Sequence, residues 1–263
     1  MELKCRRRDI VYGPVTSRRL GTSLGINLLP VERKLCNFDC IYCECGWNPV
    51  PYDKERARAR LLSAQDILHT LEERIEALVR QGTLPHVVSF SGNGEPTLHP
   101  EFPEIMRGTL AIRDKWMPGV KVCVFSNSGT LDRPGVFETL MMADARFMKL
   151  DSALEETVQL INRPQRGYTV AKTVEYLKKF KGDFTLQTLF FRGTFEGIVI
   201  DNTTPEELDA WFALVEDLKP WRVMVYTLDR KTPAEDLEKC PPGKLHDIAA
   251  RLEAKGIRVL MGE

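Results

Sequence analysis

The sequence predicts an α/β protein folded as a partial (β/α)6 TIM-like barrel. Three observations lead there. Short apolar runs rich in β-branched and aromatic residues recur along the chain. Stretches with apolar residues at helical spacing separate them. The strand–helix–strand unit repeats about every 30–40 residues, the pattern of right-handed βαβ units in a parallel sheet. A full eight-unit barrel takes about 250 residues. This chain of 263 residues gives its start to an extension and more to a cysteine loop, so six units exhaust it.

Taken in order, residues 1–22 read as an N-terminal extension and 24–29 as the first strand. Residues 31–47 form a loop that carries cysteines. Ser63 is an N-cap with Asp66 three residues on. Ile67, Leu71, Ile75, Leu78 and Val79 follow at helical spacing, and Gly82 ends the helix. Strands are expected at 86–91, 120–126, 146–151, 184–191 and 221–226, with a weaker one at 257–261. Thr204-Pro205-Glu206-Glu207 supplies a cap, a proline for the first turn and an acid for the third position. Leu208, Trp211, Phe212, Val215 and Leu218 then make one apolar stripe, which reads as core packing. No low-complexity linker interrupts the chain, so one domain is expected over residues 1–263.

Hydrophobic residues make up 43% of the chain and charged residues 28%, the composition of a soluble globular protein. The 37 basic and 37 acidic residues balance, which argues against a dedicated nucleic-acid binder. Basic clusters at Arg6–Arg8, Arg18-Arg19 and Arg56, Arg58 and Arg60 read as surface charge, and the first two are candidates to meet phosphate. The start of the chain lacks a secretory pattern, and no apolar run reaches the length of a membrane span. The expected location is the cytoplasm, where the seven cysteines stay reduced.

Three of those cysteines fall in Cys36-Asn37-Phe38-Asp39-Cys40-Ile41-Tyr42-Cys43, a C-x₃-C-x₂-C run. Iron–sulfur clusters of the 4Fe–4S type are normally held by four cysteines. A loop that supplies three leaves one iron open to another ligand. Cys45 keeps a second reading in view, a structural zinc loop closed by four thiols. After the next strand comes Ser91-Gly92-Asn93-Gly94-Glu95-Pro96. Its glycines allow close backbone approach to a ligand, and Glu95 offers a full negative charge. The third strand ends in Ser126-Asn127-Ser128-Gly129. Lys149 and Asp151 share a strand face by the period of two; they are either a buried ion pair or contacts to a cofactor or substrate. Gln187 poses the same question. Arg163, Arg192 and Arg230 follow three consecutive strands, where ligands bind in such folds. They are candidates to receive an anionic substrate through their bidentate forks.

The cysteine run with its aromatic Tyr42 resembles the signature of the radical S-adenosylmethionine (SAM) superfamily. Gly94, Glu95 and Pro96 resemble that family's Gly-Gly-Glu-Pro segment, with Asn93 where a glycine is common. The stretches Tyr12-Gly13-Pro14-Val15-Thr16-Ser17-Arg18-Arg19-Leu20-Gly21 and Tyr226-Thr227-Leu228-Asp229-Arg230 are similar to a branch of iron–sulfur oxidoreductases related to the wyosine-synthesising tRNA enzymes. Those enzymes carry a second cluster on N-terminal cysteines, and this chain has only Cys5 there.

The resemblance implies a (β/α)6 barrel of the radical SAM type and a 4Fe–4S cluster on Cys36, Cys40 and Cys43. It implies SAM on the free iron, with Gly92, Asn93, Gly94, Glu95 and Pro96 at its ammonium and Ser126 and Asn127 at its ribose or carboxylate. Tyr42 and Phe38 would cover the cluster or the adenine, or else pack the loop. An external low-potential electron donor of flavodoxin or ferredoxin type is implied as partner. The substrate is left between a nucleotide or RNA and a small metabolite or peptide. The non-enzyme alternative is an electron-transfer or zinc-binding protein.

Overall fold

A computed structural model describes residues 9–17, 20–49 and 61–262. Cys5 and the arginine clusters at 6–8, 18–19 and 56–60 lie outside the described residues. The strands are β1 (Val11–Ser17), β2 (Gly21–Ile26), β3 (Val87–Phe90), β4 (Lys121–Ser126), β5 (Ala145–Lys149), β6 (Thr185–Leu189), β7 (Phe191–Phe195), β8 (Ile198–Asp201), β9 (Arg222–Tyr226), β10 (Leu237–Lys239) and β11 (Val259–Gly262). The longer helices are α1 (Ala64–Arg80), α2 (Phe102–Trp116), α3 (Val136–Met142), α4 (Glu155–Asn162), α5 (Val170–Lys179), α6 (Pro205–Leu218) and α7 (Pro242–Glu253).

Eight strands form one sheet in the order β1-β2-β3-β4-β5-β6-β9-β11. From β2 onward every neighbouring pair is parallel. Strand order follows chain order, as in a barrel that winds one βα unit after another. The expected strands all appear, each within a few residues of its predicted span. Helix α1 starts at its Ser63 cap, whose hydroxyl accepts the Asp66 N–H, and it buries Ile67, Leu71, Ile75 and Leu78. Helix α6 starts at Thr204 and buries Leu208, Trp211, Phe212, Val215 and Leu218.

These helix faces pack on one side of the sheet against Ile26, Val88, Val124, Met148, Leu186 and Val223 in the largest apolar cluster. Each fully buried side chain of this size contributes about 1.5–3 kcal/mol. The alternate residues Val87, Cys123, Phe147 and Met224 form a second, smaller cluster, as the period of two requires. Among the described residues no helix is long and apolar enough to cross a membrane.

Two features depart from the expectation. Part of the N-terminal extension is strand β1, antiparallel to β2, with its register shifted between Tyr12 and Val15. Gly13 and Pro14 sit at that shift and break the alternation that marks a strand. The strand expected over 184–191 is two strands. β6 stays in the main sheet, and β7 begins a separate three-stranded antiparallel sheet of order β10-β7-β8. Glu196 and Gly197 join β7 to β8 with φ of 52° and 79°, the paired left-handed conformations of a tight hairpin turn.

Candidate active site

The cysteine loop is fixed at its entry by backbone contacts that need glycine. The Leu35 N–H donates to Asn93 O at 2.8 Å, and the Glu95 N–H donates to Leu35 O at 3.2 Å. Gly94 makes this possible: its φ is +146°, and a Cβ there would lie 1.8 Å from Leu35 O. At Gly92 a Cβ would lie 2.2 Å from Asn27 Oδ1. Asn93 is fully buried. Its Nδ2 donates to Pro30 O at 3.0 Å, and its backbone N–H donates to Asn27 Oδ1 at 3.0 Å. The Asn93 side chain, expected at the cofactor, thus pins the turn to the end of β2.

Inside the loop, Asn48 works as a clip. Its Oδ1 accepts the Cys36 N–H at 3.1 Å and its Nδ2 donates to Phe38 O at 3.0 Å. The Asp39 and Ile41 N–H groups donate to Asn162 O and Ile161 O at the end of α4, at 3.1 and 3.0 Å. Cys36, Phe38, Cys40, Ile41 and Tyr42 share a buried cluster with Leu189, Phe191, Ile200 and Leu228. Phe38 and Tyr42 pack within the loop: Phe38 meets Tyr168 edge-on at 5.0 Å and Tyr42 meets Phe191 at 5.4 Å.

Each of the three sulfurs is met by a protein donor. Cys36 Sγ lies 3.4 Å from both the Phe38 N–H and Asn127 Nδ2. Cys40 Sγ lies 3.5 Å from Asn162 Nδ2. The Cys45 thiol and the Lys34 ammonium favour the thiolate of Cys43. Burial pushes the Cys36 and Cys40 thiols up, against the pull of Lys34. The Cys45 hydrogen bond, aided by Lys34, brings Cys43 down to about 6 in spite of burial. Cys45 Sγ also lies 3.6 Å from Gly92 O, which links the cysteine loop to the glycine turn.

Sequence reasoning missed Lys34. Its side chain is 1% exposed. Its Nζ donates to Gly46 O at 2.9 Å and to Asp39 Oδ1 at 3.3 Å. Burial opposes its charge, but Cys43, Cys36, Cys40 and Asp39 together outweigh burial and raise its pKa. The only signal in the sequence is a lysine directly before Leu35-Cys36. Its partner Gly46 is twelve residues on, out of reach of any local pattern.

Lys149 and Asp151 do form an ion pair, at 3.1 Å. Asp151 is saturated within the protein. Its Oδ1 accepts the Leu189 N–H at 2.9 Å and Lys149. Its Oδ2 accepts Asn162 Nδ2 at 2.7 Å and the Tyr42 hydroxyl. Four donors fill a carboxylate, so Asp151 acts as a brace beneath the loop, and the ion pair with Lys149 is one of the two arrangements expected for this strand face. Burial pushes Lys149 down, and Asp151 and Tyr226 more than compensate; its Nζ donates to Tyr226 Oη at 2.6 Å.

Glu95 is likewise hydrogen-bonded within the protein. It is 2% exposed. Its Oε1 accepts Thr97 N and Oγ1 at 3.2 and 2.6 Å, and its Oε2 accepts the Asn127 N–H at 2.6 Å. Burial raises its pKa, against hydrogen bonds from Asn127, Thr97 and Ser126. Ser126 is buried too, and its Oγ accepts the Ser128 N–H at 3.1 Å. Pro96 opens a short 3₁₀ turn capped by Glu95. Asn127 touches both the loop, through Asn37 Oδ1 at 2.8 Å, and Cys36. Gln187 is buried, with Nε2 3.3 Å from Phe147 O.

Each of the three arginines is paired with an acidic residue. Arg163 lies 5.5 Å from the Trp47 ring and 5.3 Å from the Phe195 ring, and pairs with Glu196 at 3.6 Å. Arg230 pairs at 3.0 Å with Glu44, the residue between Cys43 and Cys45. Both therefore flank the cysteine loop. Arg192 pairs with Glu238 at 2.8 Å across β7 and β10. The outer sheet has carried it away from the position expected for the end of a barrel strand.

The donor set fits an iron–sulfur cluster. Three thiols share one short loop, amide donors face two of the sulfurs, and a buried cation offsets their charge. Among the described residues no three His, Cys, Asp or Glu side chains are grouped around the position of a single metal ion. In a cluster each cysteine binds a different iron.

The family model described as the radical SAM superfamily matches residues 34–227. The chain is 30% identical over 238 residues to the GTPase Obg of Brachyspira hyodysenteriae, covering 89% of this chain and 32% of that one. It therefore spans about a third of that relative. It is also 30% identical to a UPF0026 protein of Synechocystis, covering 86% of this chain and 77% of that one. A radical SAM methyltransferase from Sphaerobacter thermophilus superposes with a TM-score of 0.66 at 15% identity, over 92% of this chain and 66% of that one. TYW1, a wyosine-synthesis enzyme solved with a lysine–pyruvate adduct, gives 0.58 at 15% identity, over 88% and 73%. The sheet is thus the partial barrel of these enzymes. With its cysteine loop set over the C-terminal ends of that sheet, the chain belongs to the radical SAM superfamily.

Proposed function

We propose that this radical SAM enzyme holds a 4Fe–4S cluster on Cys36, Cys40 and Cys43 and leaves the fourth iron to SAM. The observation that carries the reading is that each of the three sulfurs meets a polar donor on a loop set over the parallel strands. When bound, cluster and SAM supply a 5′-deoxyadenosyl radical for hydrogen-atom abstraction, with the electron from an external low-potential donor of flavodoxin or ferredoxin type.

The protein binds, orients and shields. Asn48, Asn93 and Asp151 hold the loop in one conformation. Asn127 is the best-placed side chain to meet SAM, because it reaches Cys36 from the end of β4. Phe38, Ile41 and Tyr42 close the loop's inner side to water.

The substrate is read as anionic, nucleotide-bearing or a small metabolite. Arg163 and Arg230 support this. Both flank the loop and are 41% and 54% exposed. Their present acidic partners hold them only weakly, since exposed pairs are worth about 0–1 kcal/mol, and a phosphate or carboxylate can replace them.

Anaerobically prepared protein should contain iron and sulfide, and should release 5′-deoxyadenosine when given SAM and a strong reductant. Cys36→Ala, Cys40→Ala and Cys43→Ala should each abolish both properties. Cys45→Ala should keep both. Zinc at one atom per chain without sulfide would end this reading, as would a loaded cluster that never cleaves SAM.

A further inference from the structure

Lys34 is the one lysine of the loop region whose ammonium is enclosed by protein. Its side chain is 1% exposed. Two of its three N–H groups are taken by Gly46 O at 2.9 Å and Asp39 Oδ1 at 3.3 Å, and its charge favours the thiolate of Cys43. Burying an ammonium is unfavourable unless charge repays it. Asp39 alone is a modest counter-charge, because its side chain is 29% exposed and it also accepts the Asn48 N–H at 2.8 Å. Asp39 lies between Cys36 and Cys40 in the chain, and the Gly46 N–H donates to Cys43 O at 2.8 Å, so both partners hold the ammonium inside the three-cysteine loop, where Cys43, Cys36 and Cys40 favour its charged form. The three sulfurs are therefore the partners that this cation is placed to serve.

A neutral residue of the same length would fill the space, so packing does not explain the charge. Anchoring of the loop does not explain it either. Asn48, Asn162 and the Leu35–Gly94 contacts already tie the loop at both ends and in the middle. What a fixed positive charge beside three sulfurs does is favour extra negative charge on whatever they hold. The reduction potential of an iron–sulfur cluster follows its net charge, the hydrogen bonds to its sulfurs and its exposure to solvent.

We propose that Lys34 is a built-in counter-charge that raises the reduction potential of the cluster, so that the external donor can reduce it. The inference rests on the reading of Cys36, Cys40 and Cys43 as cluster ligands. Lys34 is a positioning residue of charge and does not touch substrate.

The test is a redox titration, followed by electron paramagnetic resonance, of anaerobically reconstituted wild type, Lys34→Gln and Lys34→Arg. Lys34→Gln should keep its iron and sulfide, with a midpoint shifted to lower potential. The expected change is about tenfold in the reduced fraction at fixed potential, or about 59 mV for a one-electron couple. Lys34→Arg should restore most of the shift, which a loss of packing would not allow. A loaded Lys34→Gln protein with the wild-type midpoint would overturn the proposal. Should Lys34→Gln fail to load, Asp39→Asn decides, since removing the opposing charge should move the midpoint upward; no movement there would also overturn it. Absence of a cluster from the wild type would instead defeat the underlying cluster reading, so the two failures are told apart.

Discussion

The two sheets support the cysteine loop by different physical means. The parallel sheet does it with polar groups at its strand ends. Asp151 follows β5 and takes the Tyr42 hydroxyl and Asn162, while Glu95 follows β3 and takes the N–H of Asn127, which itself reaches Cys36. The three-stranded sheet does it with apolar contact. Phe191 and Ile200 lie in the same buried cluster as Cys36, Cys40 and Tyr42, and neither side chain directs anything at a sulfur. Polar braces fix direction and fail abruptly, because a buried group left unpaired is penalised in full. Apolar buttresses fix position, and their loss scales with the volume removed.

The sharpest way to break this contrast is at Asp151. Asp151→Ala removes both carboxylate oxygens, and with them four polar contacts, and leaves Lys149 buried beside Tyr226 alone. Removing one member of a buried pair costs about 3–5 kcal/mol. Urea unfolding should show a loss in that range, and iron loading should fall with it. Adding Lys149→Met should recover part of the stability, since the uncompensated charge then disappears. A loss below about 1 kcal/mol would mean that the polar brace is ornamental and that the apolar buttress carries the loop.

The buttress is probed by a smaller change. Ile200 is 3% exposed and sits on β8 opposite Gly193. Ile200→Val removes one methylene, and such truncations cost about 0.5–1.5 kcal/mol. Stability should drop by that amount while iron content stays at the wild-type level. A large fall in cluster content from so small a change would show that the outer sheet tunes the loop's geometry as closely as the polar residues do.

What the sequence revealed follows the same division. The parallel strands, α1 and α6 were legible because their signals are local: a period of two, a helical stripe and a cap such as Thr204 within one turn of its partner Glu207. The cysteine run was legible because all three cysteines sit within eight residues. The outer sheet was not, because β7 continues the apolar run of β6 without a break and β10 is only three residues long. The internal partners of Glu95 and Asp151 were not legible, for another reason. A charge on an inward strand face signals only that some partner exists, and besides Lys149 the partners of Asp151 include Tyr42, 109 residues away. Sequence pattern cannot separate a ligand contact from an internal brace when either would satisfy the charge.

The smallest expected effect is at Arg192, and it tests whether the outer sheet touches the chemistry at all. Among Arg163, Arg192 and Arg230, only Arg163 and Arg230 flank the cysteine loop; Arg192 meets Glu238 across two short strands, with the pair 52% and 64% exposed. An exposed pair of this kind contributes about 0–1 kcal/mol and is screened by salt. Arg192→Ala should therefore change unfolding free energy by less than about 1 kcal/mol, with the difference fading as salt is raised. It should leave iron content and 5′-deoxyadenosine release as in wild type. Arg163 offers the control, because it packs between Trp47 and Phe195 at the loop's edge and its loss removes packing as well as charge. If Arg192→Ala lowered turnover as much as Arg163→Ala, the outer sheet would have to be counted as part of the substrate's binding surface.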